Sequence, residues 1–254
     1  PIFIPKRARF YIEGVLKEHF GCHTVFLERD VAHRHYQGFC KGVMWPLLHN
    51  VIDLYSVADY CGMVEAWTPS DVNTGVSAIA SRARLLNSAV STDTDNDDTS
   101  WKESRSWNSF SIEQCWPQHY AANAAFASKL QVIMSDHGTG LGAPIIWIHG
   151  YELLMLPSLV TRRLPGANIG LFLDLPFPSS EIFRTLAVRN ELLKAMLSAN
   201  YIGFHLYEYA RHFLTCCKRM LGVSYTSERG GQIQIVYNRR KVWVTCCHGG
   251  IDVE

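Results

Sequence analysis

The chain has 254 residues, 48% of them hydrophobic and 19% charged, which suits a globular protein with a substantial core and allows one large or two modest domains. A formal net charge of +1 supplies no basic field of the kind nucleic-acid binding needs, and no apolar run approaches the roughly 20 residues of a membrane span. The opening "PIFIPKRARF" holds no charged-then-apolar leader, so no secretion signal is expected, and it reads as an entry into the middle of a longer sequence.

In chain order, "HTVFLERD" (23–30) predicts a short strand and "HRHYQGFCKGVMWPLLHN" (33–50) a partly helical segment. From about 70 to 115 the chain turns polar and acidic with few aliphatics, as in "STDTDNDDTSWKESRSWNSFS", and reads as a solvated loop insertion. Asp95, Asp97 and Asp98 there imitate a calcium loop but lack its later Gly and Glu. "QHYAANAAFASKLQVIM" (118–134) predicts a long helix with Ala124, Ala127, Leu130 and Met134 along one side.

Three βα units follow. The first is "PIIWIHG" (144–150) with a helix opening near Pro157. The second is "ANIGLFLDLP" (167–176) with one helix over "SSEIFRTLAVRNELLKAML" (179–197), capped by Ser179 or Ser180. The third is "NYIGFHLYE" (200–208) with a helix striped by Ala210, Phe213, Leu214, Cys217 and Leu221 and closed by Gly222. Continuous apolar strands alternating with helices predict a parallel sheet covered on both faces, with right-handed crossovers. "GGQIQIVYNRRKVWVTCC" predicts a hairpin turning at "NRR".

Eight cysteines argue neither for disulfides nor for a metal. Cys216–Cys217 and Cys246–Cys247 are adjacent pairs, Cys22, Cys40, Cys61 and Cys115 are scattered, and no C-x-x-C occurs. "CCHGG" (246–250) sets thiol beside imidazole, but without the ligand spacing that structural zinc prefers. Reduced thiols in a cytoplasmic protein, with no metal, are expected.

No phosphate-binding P-loop and no G-x-S-x-G elbow is present, and "HGTGLGAP" (137–144) precedes a strand where a dinucleotide fingerprint would open a helix. In an open α/β sheet the ligand crevice lies outside the carboxyl ends of the strands. His149 and Glu152 follow the first strand, Asp174 the second, and His205 lies at the end of the third. Glu152 and Asp174 either converge for acid–base or glycosyl chemistry or form a solvated rim. Tyr36 and Trp45 offer either an aromatic and hydroxyl surface for a sugar or phosphate, or a packed aromatic cluster.

Longer stretches carry a resemblance. "GFCKGVMWPLLHN", "QHYAANAAFASKL", "IIWIHGYELLMLPSLV", "IGLFLDLPFPSSEIFRTLAVRNELL", "YIGFHLYEYARHFLTCCKRMLGVSY" and "GGID" follow in the order seen in trehalose-6-phosphate synthases. The chain resembles that family from about Cys22 to Asp252, apart from the polar insertion, and most resembles its larger synthase–phosphatase-type (class II) members. These are retaining glycosyltransferases that join glucose from UDP-glucose to glucose-6-phosphate, with two Rossmann-like domains facing a cleft (GT-B type). The resemblance implies that residues 1–254 form the N-terminal, acceptor-side domain. The donor-binding domain would then begin after Glu254, and this chain alone would catalyse nothing.

The resemblance also assigns roles. Tyr36 and Trp45 fall on positions that lie against the acceptor phosphate and sugar. The family's His-Asp-Tyr-His is "HGYE" here, so Gly150 stands where an Asp holds the acceptor glucose and Glu152 where a second His stands. Asp174 stands where active members carry a His at the reacting centre. Deleting the charged partner of a sugar hydroxyl costs on the order of 1.5 to 3 kcal/mol, and an anion at 174 opposes a phosphosugar. The expectation is a degenerate acceptor site serving a structural, regulatory or sugar-sensing role within a larger trehalose synthase–phosphatase assembly. The alternatives are an active UDP-glucose-dependent glycosyltransferase when full length, either a trehalose-6-phosphate synthase or one with an altered acceptor, and a pure interaction module.

Overall fold

The computed structural model describes residues 5–50, 112–136, 143–227 and 232–247. The expected loop to residue 111, the glycines at 138–142 and the end of "CCHGG" lie outside the described residues. Helix α1 (Lys6–Phe20) comes first. A nearly continuous helical rod follows, made of α2 (Arg29–His33), a π-helical segment (Arg34–Met44) and α3 (Trp45–Leu48). Against it packs the long α4 (Ile112–Asp136), which starts ahead of Pro117, where the sequence reading begins the helix just after that proline. Lys129 of α4 forms an ion pair with Glu13 of α1.

The three βα units are present. They run β1 (Ile145–His149), a 3-10 turn (Tyr151–Leu153) and α5 (Leu156–Arg163); then β2 (Asn168–Leu173), α6 (Ser180–Phe183) and α7 (Arg189–Met196); then β3 (Tyr201–Phe204) and α8 (Tyr207–Leu221). β4 (Tyr225–Ser227) and the hairpin β5 (Ile233–Tyr237) and β6 (Arg240–Cys246) complete a six-stranded sheet of order β1-β2-β3-β6-β5-β4. The first four strands in that order are parallel, and β5 and β4 join antiparallel at the far edge. The hairpin turns on Asn238 and Arg239, both left-handed (φ 50° and 64°), the two-residue geometry that matches strand twist.

Register builds the core. Ile146 sits beside Ile169, Ile148 beside Leu171, Leu171 beside Ile202 and Leu173 beside Phe204, so one sheet face is a continuous apolar layer. The buried sides of α5, α7 and α8 belong to the same core, including the expected stripe Ala210, Phe213, Leu214 and Cys217. Gly222 closes α8 as expected, in the left-handed conformation (φ 67°).

Three expectations need correction. Residues 23–28 pair with no strand and 29–30 open α2, because an apolar run becomes a strand only where a neighbour accepts its backbone bonds. The helix expected over 179–197 is broken into α6 and α7. Thr185 and Leu186 make tighter three-residue bonds back to Ile182 and Phe183, and Leu186 is driven fully into the core. The sheet's second face is open in part, with Ile145 80%, Trp147 55% and Tyr201 50% exposed. On it the Trp147 and Phe172 rings lie over Gly170 and Gly203, where a Cβ would come within 2.4 and 2.5 Å of them.

Candidate functional site at the strand ends

The site forms where β1 stops. The N–H of Gly150 still donates to the Phe172 carbonyl (3.2 Å), and then the chain leaves the sheet at φ 86°, ψ 163°. That region of backbone space is essentially reserved for glycine. The turn lets the Glu152 carboxylate fold back over Gly150, so that a Cβ built on residue 150 would lie 2.6 Å from Glu152 Oε2. Glu152 therefore occupies the space into which a side chain at 150 would grow.

Between them Tyr151 turns inward, 3% exposed, its hydroxyl buried and without a hydrogen-bond partner among the described residues. Burial is the main cause holding its pKa well above the ordinary tyrosine value, and negative charge at Glu152, Cys40, Tyr36 and Asp174 pushes the same way.

The second wall comes from the π-helical segment. Along an α-helix of 3.6 residues per turn, Tyr36 and Trp45 would be about two and a half turns apart and on opposite faces. The wider π turn, with bonds from i to i+5, brings positions 36, 41 and 45 onto one side. Lys41 Nζ lies 4.0 Å from the Trp45 ring centroid and 5.6 Å from that of Tyr36. Trp45 in turn meets Tyr151 at 6.0 Å between ring centroids.

The structure thus brings the Trp45 ring to Tyr151, with Glu152 next in the chain and Tyr36 joined to Trp45 through Lys41, while Asp174 stays exposed at the end of β2 and reaches Tyr151 only through its charge. His149 is engaged elsewhere, its Nε2 accepting the Trp147 indole N–H on the open sheet face. His205 packs edge-on against Phe172 at 5.0 Å on that same face. Lys41 carries no signal in the sequence, and Tyr151 shows its role only once its ring is seen to turn inward. Lys41 lies four residues before Trp45, neighbours even on an α-helix, but five after Tyr36, which joins the same side only once the helix is wider than α. Two aromatic side chains, one ammonium and the Glu152 carboxylate can stack a ring, pair with an anionic group and accept hydroxyl hydrogen bonds.

Fold and site define an α/β domain with its candidate binding groups at the carboxyl ends of a largely parallel sheet. The chain belongs to glycosyltransferase family 20, whose model matches residues 100–254, more than half of it. It is 34% identical over 239 residues to alpha,alpha-trehalose-phosphate synthase (UDP-forming) 5 of Arabidopsis thaliana, covering 94% of this chain and 21% of that protein. It is 32% identical over 254 residues to the Pichia angusta synthase, covering 98% of this chain and 40% of that one.

Among solved structures, the Candida albicans trehalose-6-phosphate phosphatase N-terminal domain superposes with a TM-score of 0.62 at 25% identity, over 98% of this chain and 40% of that one. A Burkholderia xenovorans synthase in complex with glucose-6-phosphate shares the fold (TM-score 0.60, 16% identity, 89% of this chain and 37% of that one). The chain is therefore a trehalose-phosphate synthase-like domain, with the Rossmann-like α/β fold it shares with GT-B-type trehalose-phosphate synthases. It spans 21% to 40% of the length of these two relatives. Among the described residues no helix is long and apolar enough to cross a membrane.

Proposed function

We propose that this domain is the acceptor-side half of a cytoplasmic trehalose-phosphate synthase-type protein whose glucose-6-phosphate site has been altered, leaving it a structural or regulatory part of a larger synthase–phosphatase assembly. One observation carries the reading: Gly150 stands in a glycine-only conformation with the Glu152 carboxylate folded over it. The change at 150 is thus more than a missing side chain, because backbone and neighbour have settled around the absence. In the family the same position supplies a carboxylate to the acceptor sugar, and Asp174 replaces a neutral or positive imidazole with an anion.

UDP-glucose, the family's donor, would be held outside this chain. The test is UDP release by the whole protein with UDP-glucose and glucose-6-phosphate. Turnover at the rate of active synthases would overturn the reading. Loss of two transition-state interactions of about 2 kcal/mol each lowers the rate roughly a thousandfold.

A second reading is favoured by Glu152 itself. A carboxylate still stands beside residue 150, and with Lys41 between Tyr36 and Trp45 it could hold a different phosphorylated or hydroxyl-rich acceptor. A screen of sugar acceptors by UDP release decides it, since silence with every acceptor would sink this alternative.

A further inference from the structure

The π-helical segment has an inward side as well as an outward one. His35 and Cys40 are five residues apart, neighbours on a π turn, and both point into the contact with α4, where His119 meets them. His35 is 6% exposed and Cys40 and His119 are fully buried. Two imidazoles and a thiol rarely share a dry helix–helix contact for packing alone, since burial of polar groups must be compensated.

Their spacing supplies the compensation. The two Nδ1 atoms are 3.1 Å apart, and Cys40 Sγ lies 3.8 Å from Nδ1 of His35 and 4.0 Å from Nδ1 of His119. A zinc ion with N ligands at about 2.0 Å and S at about 2.3 Å sets tetrahedral donors roughly 3.3 to 3.6 Å apart. Each observed edge is within about half an ångström of that triangle. We propose that His35, Cys40 and His119 form a three-ligand site for Zn2+, unrelated to any ligand of the strand-end site, with the fourth position taken by a water or other oxygen donor.

The surroundings suit a metal. Phe39 (4.3 Å between ring centroids) and Trp116 (5.6 Å) enclose the His119 ring in an apolar shell. Behind it, Asn123 donates to the carbonyls of His119 and Glu152, and its Nδ2 lies 3.5 Å from His119 Nε2. Its Oδ1 is buried and makes no hydrogen bond among the described residues. On binding, two neutral imidazoles and a thiolate coordinate the ion and the thiol proton leaves to solvent. Among the described residues this is the one such group of His, Cys, Asp and Glu. The ion would staple the π-helical segment to α4 and hold the outward face of Tyr36, Lys41 and Trp45 in register.

The test uses the 254-residue chain purified from zinc-supplemented cells and measured for metal content, then stripped and titrated with Co2+. The expected result is one zinc per chain and, with cobalt, a thiolate-to-metal near-UV band together with tetrahedral visible bands. Cys40→Ser should abolish the near-UV band and weaken Zn2+ binding by on the order of 100-fold or more, whereas a Cys246→Ser, Cys247→Ser variant should leave both intact. If Cys40→Ser does not fold, X-ray absorption of the zinc-loaded parent decides, with one sulfur and two imidazoles expected. No retained zinc, a zinc shell without sulfur, or binding lost only in the Cys246/Cys247 variant would overturn the site and leave a metal-free hydrogen-bonded histidine pair.

Discussion

At Gly150 the backbone and a neighbouring side chain now agree on glycine. Any L residue placed at φ 86°, ψ 163° carries strain of about 1 to 3 kcal/mol. Gly150→Ala is therefore expected to lower stability by that amount in urea unfolding, and Gly150→Ala with Glu152→Ala to recover only the part due to the close approach of the carboxylate. A neutral Gly150→Ala would show that the turn is not held as described. It follows that restoring an Asp at 150 alone should not rebuild an acceptor site; Glu152 and Asp174 must change with it. That position 150 holds glycine where the family motif carries an Asp was legible only through the resemblance of "HGYE" to His-Asp-Tyr-His. The conformation and the folded-back Glu152 were not, because both depend on where the chain goes after β1.

Among the elements, strands of near-continuous apolar residues were legible because period and length agree with burial on a parallel sheet, as "IGLFL" and "YIGF" show. The π-helical segment was not. Sequence periodicity is read at 3.6 residues per turn, so position 36 appears opposite 41 and 45, and His35 and Cys40 appear unrelated. Nor was the break between α6 and α7 visible, since it follows from where Leu186 must go.

This segment also makes a prediction about pH in the metal-stripped protein. Burial, the one cause at His35, lowers its pKa to about 4, and burial followed by the charge of His35 holds His119 well below the ordinary range. The folded state then binds fewer protons than the unfolded state between those values and the unperturbed 6.5, so stability rises with pH across that window. The groups facing the pair, Cys40, Asn123, Phe39 and Trp116, offer no anion to relieve the charge. In chelator, unfolding free energy is expected to fall by roughly 3 kcal/mol for His35 alone as pH drops from 6.5 to 4. A flat profile through that range would contradict the burial of neutral imidazoles.

At the scale of the whole molecule, the core runs unbroken from the π-helical segment and α4 through the sheet to α8. Phe177, Phe204 and Phe213 pack at ring-centroid distances of 5.4 to 6.0 Å beneath the carboxyl half of the sheet. Phe213→Ala is expected to cost about 3 to 5 kcal/mol, read as a lower midpoint in urea; a loss under about 1 kcal/mol would mean that this cluster is not a packed part of the core.

The proposed function requires that the strand-end site does not take glucose-6-phosphate. The most direct measurement is calorimetric titration of the whole protein with glucose-6-phosphate, in the presence of UDP, alongside Trp45→Ala. The expected result is no saturable heat up to millimolar ligand for either protein. One-to-one binding that disappears in Trp45→Ala would contradict it and return the strand ends to the status of a working acceptor site.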